Sequence, residues 1–377
     1  MNTKCINEIA QENKRIMELI PEQMEFYLKK YYLTSYPHDL IIKWLSYQKP
    51  NLLANREFVF ILKNNVHIRC LSFGNSDEFK RKLTEKTPVK IDIGAVYNRP
   101  SSDHKKGEFY AVERELVFDI DLPEYDSIRN CCQKEKICNK CWRWIIISVK
   151  VLNLLLRGQF GFKHLLWVFS GGKGIHCWVA DKQARLLNNK AREAVKNYLK
   201  LNKFQGKENS AVNKYRVHPM AELAFRCILN SSEFENLIYE QGWLDTEKEW
   251  ENILKLCPDI EMREIMNIEF ERVETPQDRW ELITLRFDLE KRERIKEENP
   301  GIRLPEIPNE LSINFLPPFT VHQKTGFIAV PLNFEEINNS TIDLDELPRV
   351  DKVVKNDISL LGLIGIGSIS DYSYVFN

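Results

Sequence analysis

Two aspartates, Asp119 and Asp121, stand two residues apart at the end of the apolar segment 115–121. Because side chains alternate between the two faces of a β-strand, both aspartates share one face with Glu115 and Val117. Carboxylates whose backbones lie about 6.5–7 Å apart can converge on two divalent cations that are about 3.5–4 Å apart. A buried anion must be paired or bound to metal. The segment therefore predicts either a metal site or a strand end that leads into solvent at Pro123.

Four cysteines, Cys131, Cys132, Cys138 and Cys141, lie within eleven residues. Four thiolates complete a closed tetrahedral zinc site, which is structural rather than catalytic because no position is left for water. Adjacent cysteines are awkward as simultaneous ligands, so a site with two ligands and two free thiols stays an alternative. Nine cysteines in the whole chain suit a reducing compartment and a metal better than a disulfide framework.

A glycine-rich turn, Ser170-Gly171-Gly172-Lys173-Gly174, joins strands predicted over 165–169 and 175–179. Glycines let backbone amides approach an anion closely, and Ser170 and Lys173 add a hydroxyl and a cation. The spacing is not that of a P-loop, so a plain tight hairpin is the alternative to a phosphate site. His176 lies on the loop's own face of the strand, unless it is a core histidine bonded to a backbone carbonyl.

Near the C-terminal end, residues 318–322 and 327–332 predict a β-hairpin with Gly326 at the position that demands positive φ. His322 lies at the mouth of this hairpin, and an exposed turn is the alternative. Earlier strands are predicted over 56–62 and 66–73 across an Asn64-Asn65 turn, over 90–97, and over 109–121 as one strand carrying the aspartates. A buried helix is predicted over 142–157.

Residues 187–299 change in character, with amphipathic helices predicted over 188–201, 247–256, 261–270 and 279–297. The expected fold is α+β, with mixed β-sheets, a zinc knuckle and an inserted helical subdomain. We expect an N-terminal extension over 1–21, a catalytic domain over 22–186 plus 300–350 with its knuckle at 131–141, a helical subdomain over 187–299, and a tail over 351–377.

The chain has 377 residues, of which 43% are hydrophobic and 29% charged, as in ordinary soluble proteins. Lysine plus arginine equals aspartate plus glutamate, 54 each, so no overall field attracts nucleic acid. The apolar run 144–156 is interrupted by Lys150 and is too short to span a bilayer. Residues 1–5 lack the apolar core of a signal peptide. We therefore expect an intracellular protein that does not enter a membrane.

These motifs, taken in order, resemble the small catalytic subunit of archaeal and eukaryotic DNA primase. The resemblance covers 29–181 nearly throughout and 317–332, and the cysteine pair favours the eukaryotic branch. It is carried by residues 56–58, 90–97, 116–121, 131–141, 160–164, 170–178 and 319–326.

The resemblance implies a DNA-directed RNA polymerase that makes short primers de novo on single-stranded DNA for replication. It implies that Asp119 and Asp121 hold two Mg²⁺ or Mn²⁺ ions, that Glu57 belongs to the active centre, and that the four cysteines bind Zn²⁺. Residues implied to contact the incoming ribonucleoside triphosphate are Ser170, Gly171, Gly172, Lys173, Gly174, Ile175, His176 and His322. Implied partners are a large primase subunit and the replicative DNA polymerase alpha complex, in the nucleus.

Three positions depart from the family pattern, and all belong to the part of the family's site that surrounds the nucleotide. A third metal-binding aspartate is expected shortly before the hairpin, but residues 301–306 contain Pro305 and only Glu306 as a stand-in acid. Gly172 stands where a second basic residue is usual, and Leu316 where a lysine is expected. The alternative function is therefore a catalytically impaired, structural or regulatory primase-like subunit, and a different nucleotidyltransferase on the same scaffold is a further one.

Overall fold

Two four-stranded sheets form the centre of the computed structural model, and helices pack against them. The structure describes residues 21–132, 136–199, 219–255, 257, 259–294, 317–340 and 342–356. The first sheet has the strand order β2-β1-β3-β4, and the second has the order β5-β7-β6-β8. The strands are β1 Arg56–Ile61, β2 His67–Leu71, β3 Lys90–Tyr97, β4 Ala111–Glu113, β5 Leu116–Asp121, β6 Leu165–Phe169, β7 Gly174–Val179 and β8 Pro331–Leu332.

Every strand pairing among the described residues is antiparallel. The prediction of an α+β fold is confirmed, but the prediction of mixed sheets is wrong for this part of the chain. Two hairpins account for part of the antiparallel pairing. A short turn with Asn65 at φ 58° joins β1 and β2, and the glycine turn joins β6 and β7. Short turns can join only antiparallel neighbours.

The prediction of a single strand over 109–121 is also wrong. Its first part is β4, which pairs with β3 in the first sheet, and its second part is β5, which pairs with β7 in the second. The chain passes between the sheets at Arg114 and Glu115. Glu115 therefore precedes the strand that carries the aspartates, and its carboxylate is directed at β1 instead of sharing their face.

The helices are α1 Pro21–Thr34, α2 His38–Ser46, α3 Pro50–Ala54, α4 Ser76–Lys86, α5 Asn139–Phe160, α6 Lys182–Arg185, α7 Asn189–Leu199, α8 Pro219–Leu229, α9 Ser232–Gln241, α10 Glu247–Leu254, α11 Ile260–Glu271, α12 Pro276–Arg294, α13 Phe334–Asn338 and α14 Val350–Asn356. The five longer predicted helices are confirmed as α5, α7, α10, α11 and α12. None of the described helices is long and apolar enough to cross a membrane.

One large core contains both sheets and α5, whose apolar residues are buried nearly all round. A second, smaller core lies within α9 to α12 and the turn between α9 and α10. Its buried members are Ile238, Leu244, Trp250, Leu254, Met266 and Phe270. The helical region thus has apolar packing of its own, although α9 also contacts α5.

A buried ion pair fastens the two sheets together where the chain crosses between them. Arg56 of β1 donates to both carboxylate oxygens of Glu115 at 2.9 Å, and both side chains are at most 1% exposed. Tyr47 adds a hydroxyl donor at 2.6 Å. Arg192 of α7 donates to the backbone carbonyls of Arg114 and Glu115. Both carboxylate oxygens of Glu115 thus accept hydrogen bonds, and a cation lies beside them.

Burial by itself would raise the pKa of the Glu115 carboxyl, but the Arg56 guanidinium and the Tyr47 hydroxyl outweigh it and hold that pKa below its ordinary value. A lowered pKa in the folded state means that folding favours the ionised form. This stabilisation is therefore complete above the unfolded pKa of about 4.3. It is lost as the pH falls through the lower, folded value.

We predict that Arg56→Met lowers the free energy of unfolding by about 3–5 kcal/mol, because it leaves Glu115 buried without its counter-charge. Urea unfolding at pH 7 measures this loss. The double variant Arg56→Met/Glu115→Leu should recover much of it, since no buried charge remains.

Lys63→Met is the matched control, because Lys63 pairs with Glu25 on the surface, where both side chains are at least half exposed. Its loss should stay below about 1 kcal/mol. Equal losses in Arg56→Met and Lys63→Met would contradict a structural role for the buried pair.

Candidate active site

The pairing of β5 with β7 builds the first part of the site. Asp119 lies opposite His176, and Asp121 lies opposite Gly174. The Nε2 atom of His176 is 3.4 Å from Oδ1 of Asp119, and the two side chains are 7% and 34% exposed. A histidine from the neighbouring strand thus lies beside the predicted pair of aspartates.

Gly174 permits the close approach of β5. A Cβ atom built at this position would lie 2.2 Å from Oδ1 of Asp121 and 2.2 Å from the carbonyl oxygen of Ile120. A side chain there would force a costly shift, because the carbonyl belongs to the backbone of a paired strand. Glycine at this position therefore sets the Asp121 carboxylate directly against the end of the glycine-rich loop.

The loop itself is organised by Ser170. Its Oγ accepts hydrogen bonds from the amides of Gly172 and Gly174, each at 3.2 Å, and its own amide donates to the Gly174 carbonyl at 3.0 Å. The Lys173 carbonyl accepts from the Leu122 amide at 3.1 Å, which fixes the loop to the end of β5. The loop is thus held in shape by its own residues and lies beside Asp121.

Next to the loop, Ile175 is fully buried. Its backbone pairs with β5 and β6, and its side chain belongs to the core. Any contact that Ile175 makes with a ligand at the loop must therefore come from its backbone.

The predicted C-terminal hairpin is confirmed by the bridge between Val321 and Ile328 and by Gly326 at φ 72°. It reaches the loop because Phe169 at the end of β6 donates to the Val330 carbonyl at 2.9 Å. His322 therefore lies over the glycine loop.

Two glycines make room for that histidine. A Cβ on Gly171, which has φ 78°, would lie 2.9 Å from the Cβ of His322. A Cβ on Gly172 would lie 3.1 Å from the His322 Nε2 atom. Larger residues at either position would push the histidine away from the loop.

Thr325 is a site residue that the sequence reasoning missed. Its hydroxyl donates to the Gly171 carbonyl at 2.6 Å and lies 3.1 Å from Nδ1 of His322. It thereby fastens the hairpin to the loop and orients the imidazole. A threonine in the turn of a histidine hairpin was the available signal, but its partner is 154 residues away in sequence.

Glu57 lies on β1 of the first sheet, whereas the aspartates lie on β5 of the second. Its carboxylate accepts a hydrogen bond from the Tyr97 hydroxyl at 3.4 Å and lies against Gly94 of β3. Burial, and then the charge of Glu57, raise the pKa of the Tyr97 hydroxyl. Glu57 is linked to the aspartate strand through its neighbour Arg56, which binds Glu115.

The proposed stand-in acid Glu306, and Leu316, lie outside the described residues. Within those residues, the cysteine cluster is the only group of three or more His, Cys, Asp or Glu side chains close enough to hold one ion. A third carboxylate ligand for Asp119 and Asp121 is therefore not found in that part of the chain.

The four cysteines form one compact cluster, with all Sγ atoms within 4.8 Å of one another. Contacts from Cys132 measure 3.9 Å to Cys131, 3.7 Å to Cys138 and 3.3 Å to Cys141. In a tetrahedral site with Zn–S bonds of about 2.3 Å, sulfur atoms lie about 3.8 Å apart. The cluster is therefore consistent with zinc bound by all four thiolates, the adjacent pair included.

The N-terminus of a helix, a guanidinium group and a side-chain amide lie next to this cluster. Cys138 is the N-cap of α5 and Cys141 lies in its first turn, where the helix dipole favours thiolates. The buried Arg129 guanidinium donates to Cys141 at 3.5 Å, and Gln241 at the end of α9 donates to Cys131 at 3.3 Å. The cluster thus joins α5, the loop after β5 and the helical region.

We predict that Gly174→Ala lowers the free energy of unfolding by about 1–3 kcal/mol, the usual cost of forcing an atom into filled space. The added methyl group must displace the Ile120 carbonyl or the Asp121 carboxylate. Thermal and urea unfolding measure the effect.

Gly158→Ala in α5 is the matched control, because a Cβ there meets no atom within 4 Å. Alanine is the better helix former, so this variant should gain about 0.5–1 kcal/mol. Equal stability in the two variants would contradict the close approach of β5 to the loop.

The whole arrangement places two carboxylates, a serine-organised glycine loop, a lysine and two histidines at one edge of a sheet. Backbone amides and cations suit phosphate groups, and carboxylates suit the divalent ions that accompany them. This combination of groups therefore suits a nucleotide polyphosphate together with divalent metal.

Comparisons with known proteins agree with this chemistry. The model of the DNA primase small subunit family matches residues 118–334, a range that contains both aspartates, the cysteine cluster, the glycine loop and the hairpin. The DNA primase small subunit of Caenorhabditis elegans is 36% identical over 371 residues, which cover 91% of this chain and 88% of that protein. That of Schizosaccharomyces pombe is 32% identical over 359 residues, which cover 87% of this chain and 78% of that protein.

Among solved structures, the polymerase domain of Mycobacterium tuberculosis ligase D in complex with DNA matches 92% of both chains at 12% identity, with a TM-score of 0.36. That score supports no conclusion about the fold, so the assignment rests on the sequence matches. Because they span most of its length, the chain belongs to the DNA primase small subunit family and has the function of the catalytic subunit of a DNA primase, a nucleotidyltransferase.

Proposed function

We propose that this chain synthesises short RNA primers de novo on single-stranded DNA by two-metal nucleotidyl transfer. The observation that carries the proposal is the register of β5 against β7, with Asp119 opposite His176 and Asp121 opposite Gly174. Because β7 begins at the glycine loop, the acid pair and the loop lie at one edge of the sheet. This supports a common site for metal and triphosphate.

Asp119 and Asp121 would hold Mg²⁺ or Mn²⁺. Their half-buried carboxylates lie on the open side of β5, and carboxylate oxygens are the preferred ligands of both ions. When bound, such a pair of ions stabilises the attacking 3′-hydroxyl oxygen and the leaving pyrophosphate oxygen of an in-line displacement. Glu306 is the candidate for a third carboxylate ligand.

The other residues have separate tasks around the triphosphate. Lys173 and His322 would neutralise its negative charge from the loop and from the hairpin. Ser170 would keep the loop amides in place, and Gly171 and Gly172 allow His322 to approach. His176 would contact a phosphate while it orients Asp119.

Glu57 would act from β1, held by the Tyr97 hydroxyl. Gly174 and Ile175 would position the loop, because one has no room for a side chain and the other is fixed in the core. Their contribution to nucleotide binding is thus through the backbone.

The four cysteines would bind one Zn²⁺ as a closed structural site. The sulfur separations fit the ion, and no position is left for a reacting water. Since the cluster meets both α5 and Gln241 of α9, zinc would fix the position of the helical region against the catalytic part.

We further propose the domain division 1–21, 22–186 plus 300–350, 187–299 and 351–377. The separate core within α9 to α12 supports a helical subdomain. The contacts of α8 and α9 with α5 indicate that this subdomain rests firmly on the catalytic part.

The relatives are named small subunits, which supports a large primase subunit as partner. We also propose the replicative polymerase alpha complex as the wider assembly and the nucleus as the location, because both follow from a role in priming replication. Equal numbers of acidic and basic residues agree with a partner subunit, because phosphate contacts supply most nonspecific affinity for DNA. A partner subunit would then strengthen the hold on the template strand.

We predict that the purified protein makes short oligoadenylates from ATP on poly(dT) with Mn²⁺, and that Asp119→Ala abolishes them. Asp119→Asn, which keeps the size of the side chain and removes its charge, should lose roughly 100-fold or more in rate. Gel analysis of the labelled products measures both.

Asp103→Asn is the matched control, since Asp103 pairs with Lys106 on the surface, outside the strands, loop and hairpin that form the site, and it should leave the products unchanged. An unchanged product ladder in Asp119→Ala would remove the metal assignment. Absence of products from the wild-type chain, even with a large subunit added, would favour the catalytically impaired, structural or regulatory subunit.

We predict one zinc ion per chain, lost in Cys138→Ser/Cys141→Ser together with thermal stability, because the ion contributes directly to folding. Elemental analysis and thermal unfolding measure the two effects. Cys257→Ser, at a half-buried cysteine outside the cluster, should keep both zinc and stability. A zinc-free preparation that is fully folded would contradict the structural role.

A further inference from the structure

A cavity of about 560 Å³ lies away from the glycine loop, between α5, the turn from α8 to α9, and α13. One face of α5 supplies Lys150, Asn153 and Arg157, and the turn supplies Asn230 and Ser231. The half-buried ring of Phe334 forms an apolar part of the wall. Its volume falls within the range of about 300–1,000 Å³ that is usual for small-molecule sites.

The wall is positively charged. Its ten residues, all of them described, include a lysine and an arginine but no aspartate or glutamate. The Lys150 ammonium is 3.5 Å from the Ser231 hydroxyl. Glu233, the first acid after that turn in the sequence, pairs with Arg143 and does not line the cavity. A compensating negative charge is thus missing from the lining itself.

Asn153 provides a second, independent sign of a ligand. It lines the cavity although it is only 7% exposed, and its Oδ1 accepts a hydrogen bond from Nε of Arg157 at 3.2 Å. No described residue accepts a hydrogen bond from its Nδ2 amide group. Because Asn153 lines the cavity, this donor is available to an acceptor inside it.

We propose that this cavity binds a small phosphate-bearing molecule, at a site separate from the glycine loop. The amide of Asn153 and the ammonium of Lys150 would donate to phosphate oxygens, and Arg157 would add positive charge at the rim. Phe334 offers a surface on which a ring of the same molecule can pack. The donors line one cavity instead of following a long groove, which favours a small molecule over a nucleic acid strand.

Cys227 supplies a local readout, because this half-buried thiol also lines the cavity. Alkylation of the full-length chain by iodoacetamide, followed at the Cys227 peptide by mass spectrometry, reports on this site and not on the glycine loop. The first probe is inorganic pyrophosphate at constant ionic strength. The second probe is AMP, which adds a ring that can pack on Phe334. Both should slow the alkylation of Cys227.

Two variants test the donors. Lys150→Met and Asn153→Asp should each raise the half-protecting concentration of pyrophosphate by about tenfold or more, the scale of a lost charge-assisted hydrogen bond. Burial raises the pKa of the Cys227 thiol, and Lys150 lowers it. Each variant is therefore compared with itself, with and without the probe. Lys248→Met, at an exposed lysine of α10, should have the same half-protecting concentration of pyrophosphate as the wild type.

Protection that is lost in both cavity variants and kept in Lys248→Met supports the site. Lack of protection by millimolar pyrophosphate and AMP would overturn it, as would equal protection in all variants. Protection by a single-stranded oligonucleotide when pyrophosphate and AMP have no effect would also overturn it, in favour of a nucleic acid contact.

Discussion

The buried pair between Arg56 and Glu115 is the interaction on which the rest of the structure depends. It lies where the chain leaves the first sheet and enters β5, so it fixes the two sheets relative to each other. Two ions are costly to remove from water, and only a bidentate pair with further donors offsets that cost. Tyr47 supplies such a donor to the Glu115 carboxylate, and Arg192 donates to its backbone carbonyl.

From that crossing, β5 leads directly to the reactive face. Asp119 and Asp121 belong to one segment, the glycine loop to another and His322 to a third, and the second sheet brings all three together. Each contact among them depends on small residues. Gly174 admits the Asp121 carboxylate, and Gly171 and Gly172 admit His322. The site thus depends on the absence of side chains at the glycines as well as on the charged residues.

Much of this could be predicted from local patterns. The β1–β2 hairpin, the glycine turn, the His322 hairpin and the long helices follow from turn residues and from apolar periodicity. The error over 109–121 has a physical cause: β-strand periodicity is continuous through Arg114 and Glu115, and nothing local marks the change of sheet. The role of Thr325 was also missed, because the carbonyl that it binds belongs to Gly171, far away in the sequence.

The sequence by itself determined which chemistry was available: paired carboxylates at strand spacing, four clustered thiols, and a glycine turn with a lysine. These properties are local, since alternation along a strand and spacing within a loop depend on a few residues. Only the tertiary structure decided that Asp119 meets His176, that His322 lies over Gly172, and that Glu115 serves the core. Such pairings depend on strand register and on the compensation of buried charge, which arise between segments distant in the chain.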